Sequence, residues 1–158
     1  MTAILSVSNT FAVLLTAGYE ERTAVSCIEQ LRKAGLSVSI VGINDQLIRG
    51  RHGIHIAPDY TIASLPPEHQ FHVILISGGC QHVNSMLTDP RIHKILHRTI
   101  NANGFIAPFA KIESLLFRSG FSHDKFATHI IKQDKRNLNE YINQLIQLAG
   151  EQAHCPRQ

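Results

Sequence analysis

The chain has 158 residues, of which 44% are hydrophobic and 17% charged, so it can form one hydrophobic core but has little room for a second domain. Its formal net charge of +3 is not concentrated in a basic segment or helix face, and we therefore expect no nucleic-acid partner. Because no apolar run is long enough to span a membrane and the first residues lack a basic segment, we expect neither a membrane segment nor a signal peptide.

A β–α–β unit is predicted near the start of the chain. Residues 11–16 (FAVLLT) form a continuous apolar run, typical of a strand buried on both faces. A helix is predicted from Thr23, its N-cap, to about Ala34, with Gly35 as the stop signal. Residues 37–43 alternate polar and apolar side chains and predict a second strand, which a right-handed crossover places parallel to the first.

The middle of the chain predicts a hairpin, a strand and a helix. Residues 49–53 (RGRHG) are typical of a hairpin tip, although a solvated loop also explains their two arginines. Residues 71–76 (FHVILI) predict a buried strand that ends in the sequence SGGCQH. Asp89 followed by Pro90 predicts a helix N-cap and first turn, and we expect this helix to end at residues 103–104.

The last third of the chain predicts two further strands and two helices. Residues 105–109 (FIAPF) predict a strand and an amphipathic helix follows it, residues 125–132 predict a strand, and residues 138–148 predict the final helix. Alternating strands and helices indicate a three-layer α/β sandwich, a mostly parallel sheet with helices on both faces. We assign residues 1–150 to a single domain and residues 151–158 to a flexible tail.

Three loops are candidates for ligand binding in such a sheet. Ligands of open parallel sheets bind beyond the carboxyl ends of the strands. The loops there begin at Gly18, at the pair Gly78 and Gly79, and at Ala110. Glycines let backbone N–H groups approach a ligand and hold an anion, so we predict that Gly18, Gly78 and Gly79 bind one. A plain tight turn is the alternative explanation for each glycine.

Three segments carry a resemblance to a known family. FAVLLTAGYEE, VILISGGCQHVNSML and GFIAPFAKIESLL, within residues 11–121, resemble the ThiJ/PfpI superfamily of glutamine-amidotransferase-like proteins, which includes protein deglycases and PfpI-type proteases. The resemblance implies a flavodoxin-like fold, a homodimer and a role in stress response. It also implies a site built from a cysteine on a nucleophile elbow, a glutamate after the first strand, often a histidine, and a glycine N–H.

This chain departs from the family's catalytic pattern. The position of the elbow cysteine falls on Ala110, and the position of the glutamate falls on Thr23, with Glu20 and Glu21 close by. His129 is a loose match for the family histidine. After it the chain proceeds almost directly to the last helix, so about one supersecondary unit of the family is missing. A catalytic thiol needs a sulfur atom, and alanine has none.

Cys80, directly after the glycine pair, is the candidate replacement nucleophile. Glu20, Glu21 and His82 would be close enough to lower its pKa or to move protons. The alternative is a half-buried thiol with no chemical role, since a free cysteine most often packs as a small apolar side chain. We expect Cys27, on the first helix, to pack in that way. An odd cysteine count without CxxC spacing favours reduced thiols in a cytoplasmic protein.

His93 and His97 form a weak candidate metal site. Their i, i+4 spacing puts two imidazoles on one helix face. A metal site needs three or four ligands, and the sequence does not specify a third. Surface histidines are the alternative explanation, and we expect no metal and no cofactor.

The function predicted from the sequence is that of a family member that has lost thiol catalysis. It would act as a binding, scaffolding or regulatory module, as a homodimer with a protein partner or a small anionic ligand. The alternative is an active hydrolase, glyoxalase or deglycase that uses Cys80 or a carboxylate near the glycine pair.

Overall fold

The computed structural model describes residues 10–66, 68–109, 112–121 and 124–153 of the chain. Its strands are β1 (Thr10–Leu15), β2 (Ser37–Gly42), β3 (Ile48–Arg49), β4 (His55–Ile56), β5 (Tyr60–Thr61), β6 (Val73–Ser77) and β7 (Phe105–Pro108). Its helices are α1 (Glu21–Lys33), α2 (Cys80–Met86), α3 (Pro90–Asn101), α4 (Glu113–Arg118), α5 (Asp124–Ala127) and α6 (Leu138–Ala153).

The central sheet has the strand order β5-β2-β1-β6-β7, and all its strand pairs are parallel. Phe11, Val13 and Leu15 of β1 pack with α1 and α6 on one face, whereas Ala12 and Leu14 pack with α2, α3 and α4 on the other. Each fully buried aliphatic or aromatic side chain contributes about 1.5–3 kcal/mol to folding. The structure confirms the three-layer α/β sandwich. The direction in which successive strands are added to the sheet reverses between β1 and β6, as in flavodoxin-like folds.

Most of the predicted elements are present. The strands predicted at residues 11–16, 37–43, 71–76 and 105–109 correspond to β1, β2, β6 and β7, and β3 and β4 form the predicted antiparallel hairpin. The Asp89 side chain caps α3 by accepting a hydrogen bond of 2.9 Å from the Arg91 N–H. The N-cap of helix α1 is Glu20, three residues before the predicted N-cap Thr23, and its side chain makes no capping hydrogen bond.

Two segments fold differently from their predictions. The predicted strand at residues 125–132 is wrong, because it is replaced by α5 and a single bridge between Ile130 and Ile106. Directly after the glycine pair, where a loop was expected, the chain forms α2 and buries Val83 and Met86. A seven-residue segment with two apolar side chains shows too little periodicity to indicate a helix, so tertiary packing decides this structure.

Helix α6 also differs from its prediction at its end. It continues to Ala153 rather than ending at Leu148, so the first three residues of the predicted tail at 151–158 are helical. The rest of that tail lies outside the described residues. The described part of the tail is therefore a continuation of the last helix.

The outer edge of β7 is closed by contacts with the segment before α6. The Ile106 N–H donates to the His129 carbonyl at 2.8 Å, and the Ile131 N–H donates to the Ile106 carbonyl at 2.9 Å. Further along, Pro108 has no N–H, and its carbonyl accepts a hydrogen bond of 3.0 Å from the Tyr141 hydroxyl. Because these groups are hydrogen-bonded or lack a donor, this edge is protected from pairing with another chain.

Among the helices of the described segments, none combines the length and the apolar character that a membrane span requires.

Candidate functional site

The carboxyl ends of β1, β6 and β7 and the loops after them surround a cavity of about 550 Å³, which we name the glycine-pair cavity. This is the edge of the sheet, beside the reversal of strand order, where ligands of this fold class bind. The cavity is lined by Gly18, Glu20, Thr23, Arg51, Ser77, Gly78, Gly79, Cys80, Gln81, His82, Phe109, Ile112, Gln133 and Leu138.

The loops after β1 and β6 approach so closely that glycine is required at two positions, Gly18 and Gly78. Gly18 has φ +80°, and a Cβ on it would lie 3.1 Å from the Cα of Gly79. A Cβ on Gly78 would collide with the Thr16 hydroxyl. The Gly79 N–H donates to the Ala17 carbonyl at 3.0 Å, so this N–H already has a partner. The Gly78 N–H has no hydrogen-bond partner among the described residues and is the group of the pair that can bind an anion.

Three of the predicted site residues with reactive side chains lie in the wall of this cavity. Cys80 is an exposed free thiol at the first position of α2, and His82 follows two residues later. Glu20 lines the same cavity from the loop after β1. The structure therefore brings a thiol, an imidazole and a carboxylate together beside the glycine pair.

Glu21 lies away from the cavity and serves the hairpin. Its carboxylate accepts hydrogen bonds from the His52 backbone N–H and, at 3.0 Å, from the His52 ring Nδ1. Desolvation acts to raise the pKa of Glu21, but the hydrogen bonds from His52 outweigh it and hold that pKa below its ordinary value. Glu21 also packs against Gly50, where a Cβ would collide with its carboxylate. We conclude that Glu21 has a structural role in holding the hairpin tip.

Tyr19 attaches the hairpin to the loop after β1. Its buried hydroxyl lies 2.6 Å from the Ile54 carbonyl and 3.2 Å from the Ile48 carbonyl. Burial, and then the charge of Glu21, raise the pKa of Tyr19, so this hydroxyl stays protonated as a donor. The Arg51 N–H in turn donates to the Tyr19 carbonyl at 2.8 Å, which places Arg51 at the glycine-pair cavity.

Sequence reasoning missed Arg51 as a cavity residue. The pair of arginines around Gly50 was noticed, but a solvated loop explains it equally well when the attachment of the hairpin is unknown. The signal that was available is the position of the hairpin between β2 and β5, which puts its tip near the carboxyl ends of the central strands.

Ala110, at the expected position of the nucleophile, lies outside the described residues. Phe109 and Ile112, the nearest described residues on either side of it, both line the glycine-pair cavity. Thr23, which the sequence resemblance places at the position of the family's glutamate, lines the same cavity from α1. The side chains that replace the expected thiol and carboxylate in the sequence are thus a methyl group and a hydroxyl.

Cys27, the other thiol in the described part of the chain, is not placed for chemistry at this site. Cys27 is 1% exposed, and desolvation by burial raises its pKa to about 12. A thiol with that pKa remains protonated near neutral pH and is a poor nucleophile. The packing role expected for Cys27 agrees with this position. Cys155 lies outside the described residues.

His129 lies at the opposite end of β7 from the cavity. Its Nδ1 is 2.9 Å from the carbonyl oxygen of Gly104, immediately before β7, whereas the cavity lies beyond the carboxyl end of this strand. The match of His129 to the family histidine therefore does not place an imidazole in the glycine-pair cavity. Together with Tyr141, His129 closes the outer edge of the sheet.

His93 and His97 pack against aromatic rings. The ring of His97 stacks on Phe121 with centroids 5.0 Å apart and meets Phe126 edge-on at 5.1 Å. The Nε2 of His93 is 2.6 Å from the Leu87 carbonyl and must carry a proton to donate to it. In the described parts of the chain, no group of three or more side chains could hold a metal ion.

Comparison with known proteins identifies the family. The DJ-1/PfpI family profile matches residues 9–147. Protein dj-1beta of Drosophila melanogaster is 24% identical over 136 residues, which cover 85% of this chain and 72% of that protein. The Parkinson disease protein 7 homolog of Danio rerio is 23% identical over 131 residues, which cover 82% of this chain and 69% of that protein. The structure of oxidized Toxoplasma gondii DJ-1 has a TM-score of 0.71 at 18% identity and covers 93% of this chain and 100% of its own.

The sheet order and the cavity beside its reversal define a flavodoxin-like α/β protein with its candidate site at the usual edge. Within that class, the chain belongs to the DJ-1/PfpI family, whose profile matches most of its length. The resemblance inferred from the three sequence segments is confirmed.

Proposed function

We propose that this protein is a DJ-1/PfpI-family member without thiol catalysis that binds a small anionic ligand in the glycine-pair cavity. The observation that carries the proposal is the sequence at the turn after β7. Phe109 and Ile112 line the cavity on either side of residues 110–111, and Ala110 offers a methyl group where the family's chemistry needs a thiol.

The second catalytic position supports the same conclusion. A cysteine nucleophile attacks as the thiolate, which forms when a neighbouring group accepts or holds its proton. Thr23 occupies the family's glutamate position, and a hydroxyl does not serve as a base near neutral pH. The cysteine and the glutamate of the family's catalytic pair are therefore both absent from their expected positions, Ala110 and Thr23, in this sequence.

The remaining groups of the cavity fit a small anion. The Gly78 N–H and the Arg51 guanidinium have no hydrogen-bond or ion-pair partner among the described residues, and both residues line the cavity. A backbone N–H and a guanidinium are the donors that carboxylates and phosphates prefer. Arg51→Gln should weaken the binding of acetate or inorganic phosphate, followed through the backbone amide shifts of residues 78–82. Unchanged binding by this variant would contradict the proposal.

The catalytic part of the proposal is tested by turnover. Glyoxalase, deglycase and peptidase assays of the purified protein should give no rate above that of buffer. Cys80→Ser and, as a matched control thiol near the end of the chain, Cys155→Ser should not change this result. Turnover that disappears in Cys80→Ser and persists in Cys155→Ser would overturn the proposal.

The second candidate function is an active hydrolase, glyoxalase or deglycase that uses Cys80. The observation favouring it is that the exposed Cys80 thiol shares the cavity with His82 and Glu20. An activated thiol reacts with iodoacetamide at a pH well below the ordinary cysteine pKa. The pH dependence of Cys80 alkylation, compared between the wild type and His82→Gln, tests this candidate. A profile like that of a small-molecule thiol, unchanged in the variant, would exclude it.

We further propose a cytoplasmic homodimer that acts as a binding, scaffolding or regulatory module. The family resemblance motivates the dimer, and Val25 on α1 and Ile54 between β3 and β4 are exposed apolar side chains with which an interface can be tested. Light scattering after size exclusion should give twice the mass of 17.6 kDa. The double variant Val25→Ser/Ile54→Ser should shift the mass toward the monomer, and a monomeric wild type would refute the dimer.

A further inference from the structure

A second cavity of about 560 Å³ opens at the same edge of the sheet, and we name it the hairpin cavity. It is lined by the carboxyl ends of β1 and β2, the β2–β3 loop, β3, and α2 with the turn that follows it. Its volume lies within the range of small-molecule sites in proteins. His82 is the one residue that the wall of this cavity shares with the wall of the glycine-pair cavity.

The wall of the hairpin cavity combines apolar side chains with polar ones. Leu15, Ile48 and Met86 are buried side chains that line it. Leu47, also in its wall, leaves 60% of its surface exposed. An apolar ligand group in the cavity would cover this side chain and remove its apolar surface from water, which favours binding.

The charge available in this cavity is positive. Arg49 lines it, and its side chain makes no ion pair or hydrogen bond with another described residue. Asp89, the acidic residue of the wall, is already neutralised by Arg91 at 2.8 Å. The Arg91 hydrogen bonds and charge hold the pKa of Asp89 below its ordinary value, so the carboxylate stays ionised and paired. The net preference of the cavity is therefore for an anion.

The hairpin tip provides one guanidinium to each of the two cavities. Arg49 and Arg51 are two positions apart with Gly50 between them, and the turn at Gly50 directs the chain from one cavity to the other. Gly50 is held there by its N–H bond to the Ile54 carbonyl at 2.7 Å and by its close packing on Glu21. The arginines flanking Gly50 thus line different cavities.

A buried polar group in the wall also lacks a partner. Thr16 is 6% exposed, and its hydroxyl has no hydrogen-bond partner among the described residues. Buried hydroxyls in folded proteins are nearly always hydrogen-bonded, to protein or to bound molecules. This hydroxyl lies against Gly78, in the space that a Cβ on Gly78 would need, so it does not contact a ligand in the hairpin cavity.

We infer that the hairpin cavity is a second ligand site, for a small organic monoanion that carries a carboxylate and a short apolar chain. The carboxylate binds Arg49, and the apolar chain contacts Leu15, Leu47 and Met86. This inference does not depend on the function proposed for the glycine-pair cavity, because the two walls have only His82 in common.

The test is a titration of the isotopically labelled full chain with hexanoate, followed by NMR. The methyl groups of Met86 and Leu47 report on the hairpin cavity, and the amides of Cys80 and Gln81 report on the glycine-pair cavity. We expect saturable shifts of both methyl reporters with hexanoate. Hexanol lacks the charge and acetate lacks the chain, so each should bind at this cavity at least tenfold more weakly than hexanoate.

Two variants identify the site. Arg49→Gln should weaken the hexanoate affinity measured at Met86 by tenfold or more, whereas the matched control Arg51→Gln should leave it within about twofold. Ser85→Trp introduces a large side chain at an exposed position of the wall and should block binding while α2 still folds. Unchanged hexanoate affinity in Arg49→Gln, equal affinity for hexanol, or hexanoate shifts confined to Cys80 and Gln81 would each overturn the inference. The last result would leave the proposed function of the glycine-pair cavity intact.

Discussion

At the scale of single residues, the glycine-pair cavity depends on the close approach of Gly78 to the Thr16 side chain. A Cβ at position 78 would collide with the Thr16 hydroxyl, and it would also lie 3.1 Å from both the Thr16 Cβ and the Val83 Cγ2. Turning the hydroxyl away relieves only the first of these contacts, so the backbone must move as well. This explains why the loop after β6 carries glycine independently of any ligand.

Gly78→Ala should therefore lower the free energy of unfolding by about 1–3 kcal/mol, the usual cost of overpacking a core. Urea denaturation measures it. Gly150→Ala is the control, since a Cβ on this helical glycine meets no atom within 4 Å. It should be neutral or stabilising by up to about 1 kcal/mol. Equal stability of the two variants would contradict the close approach.

Glu21 and Glu20 are adjacent carboxylates with different roles. Glu21 is bonded to His52, and its pKa lies below the ordinary value, so the unfolded chain binds more protons as the pH falls through the acidic range. The stabilisation is present above the ordinary pKa of a glutamate and is lost as the pH falls below about 5. The exposed His52 ring weakens the ion-pair part of this effect.

Glu21→Gln should be less stable than the wild type at pH 7, and the difference should shrink as the pH is lowered from about 5 to about 3. Chemical denaturation at several pH values measures this. Glu20→Gln removes an exposed carboxylate and should leave stability unchanged across the same range. A constant difference between Glu21→Gln and the wild type would mean that the carboxylate charge is not what stabilises the hairpin tip.

At the scale of elements, α6 helps to close the edge of β7 through a single hydroxyl. The Tyr141 side chain is fully buried, and its hydroxyl is 3.0 Å from the Pro108 carbonyl and 2.7 Å from the Ile131 carbonyl. Burial raises the pKa of Tyr141 well above its ordinary value, so the hydroxyl remains a donor throughout the stable pH range. The last helix and the segment before it are thereby held against the sheet edge.

Tyr141→Phe should cost about 1–3 kcal/mol, because buried carbonyls lose their donor. The amides of Ile106 and Ile131 should also exchange faster with deuterium, since they hold the same edge. Tyr60→Phe removes the same atom from a half-buried tyrosine whose hydroxyl has no partner among the described residues, and should change stability by less than about 0.5 kcal/mol. Slow, unchanged exchange at Ile106 in Tyr141→Phe would contradict this role.

At the scale of the whole molecule, one buried histidine makes stability depend on pH near neutrality. His72 is 4% exposed, its Nε2 has no hydrogen-bond partner among the described residues, and its ring meets Phe105 edge-on. Desolvation by burial lowers the pKa of His72. The unfolded chain therefore binds a proton more readily than the folded chain, and stability falls as the pH drops below about 7.

His72→Phe keeps a ring of similar size without the titrating group. The variant should gain stability relative to the wild type as the pH falls from about 7 to about 5, and the thermal midpoint at each pH measures this gain. His55→Gln, at an exposed position, should keep the slope of the wild type. If His72→Phe shows the same dependence on pH as the wild type, another group must cause it.

Much of the fold follows from local sequence patterns. The apolar runs of β1 and β6 are typical of strands buried on both faces, and Asp89 before Pro90 starts a helix through a hydrogen bond within its own first turn. The glycine pair predicts the place of the site, because parallel strands end at one edge of the sheet. The family was also predictable from local sequence, because the three segments that resemble it keep the family's order and spacing.

Other features were decided by the tertiary structure alone. Neighbouring carboxylates differ in role because Glu20 lines the cavity while Glu21 contacts the hairpin, which is distant in sequence. Arg49 and Arg51 look alike in the sequence, yet they line different cavities. His129 closes an edge of the sheet rather than a site. Each of these outcomes depends on contacts between segments far apart in the chain, whereas propensity and periodicity describe only a residue's near neighbours.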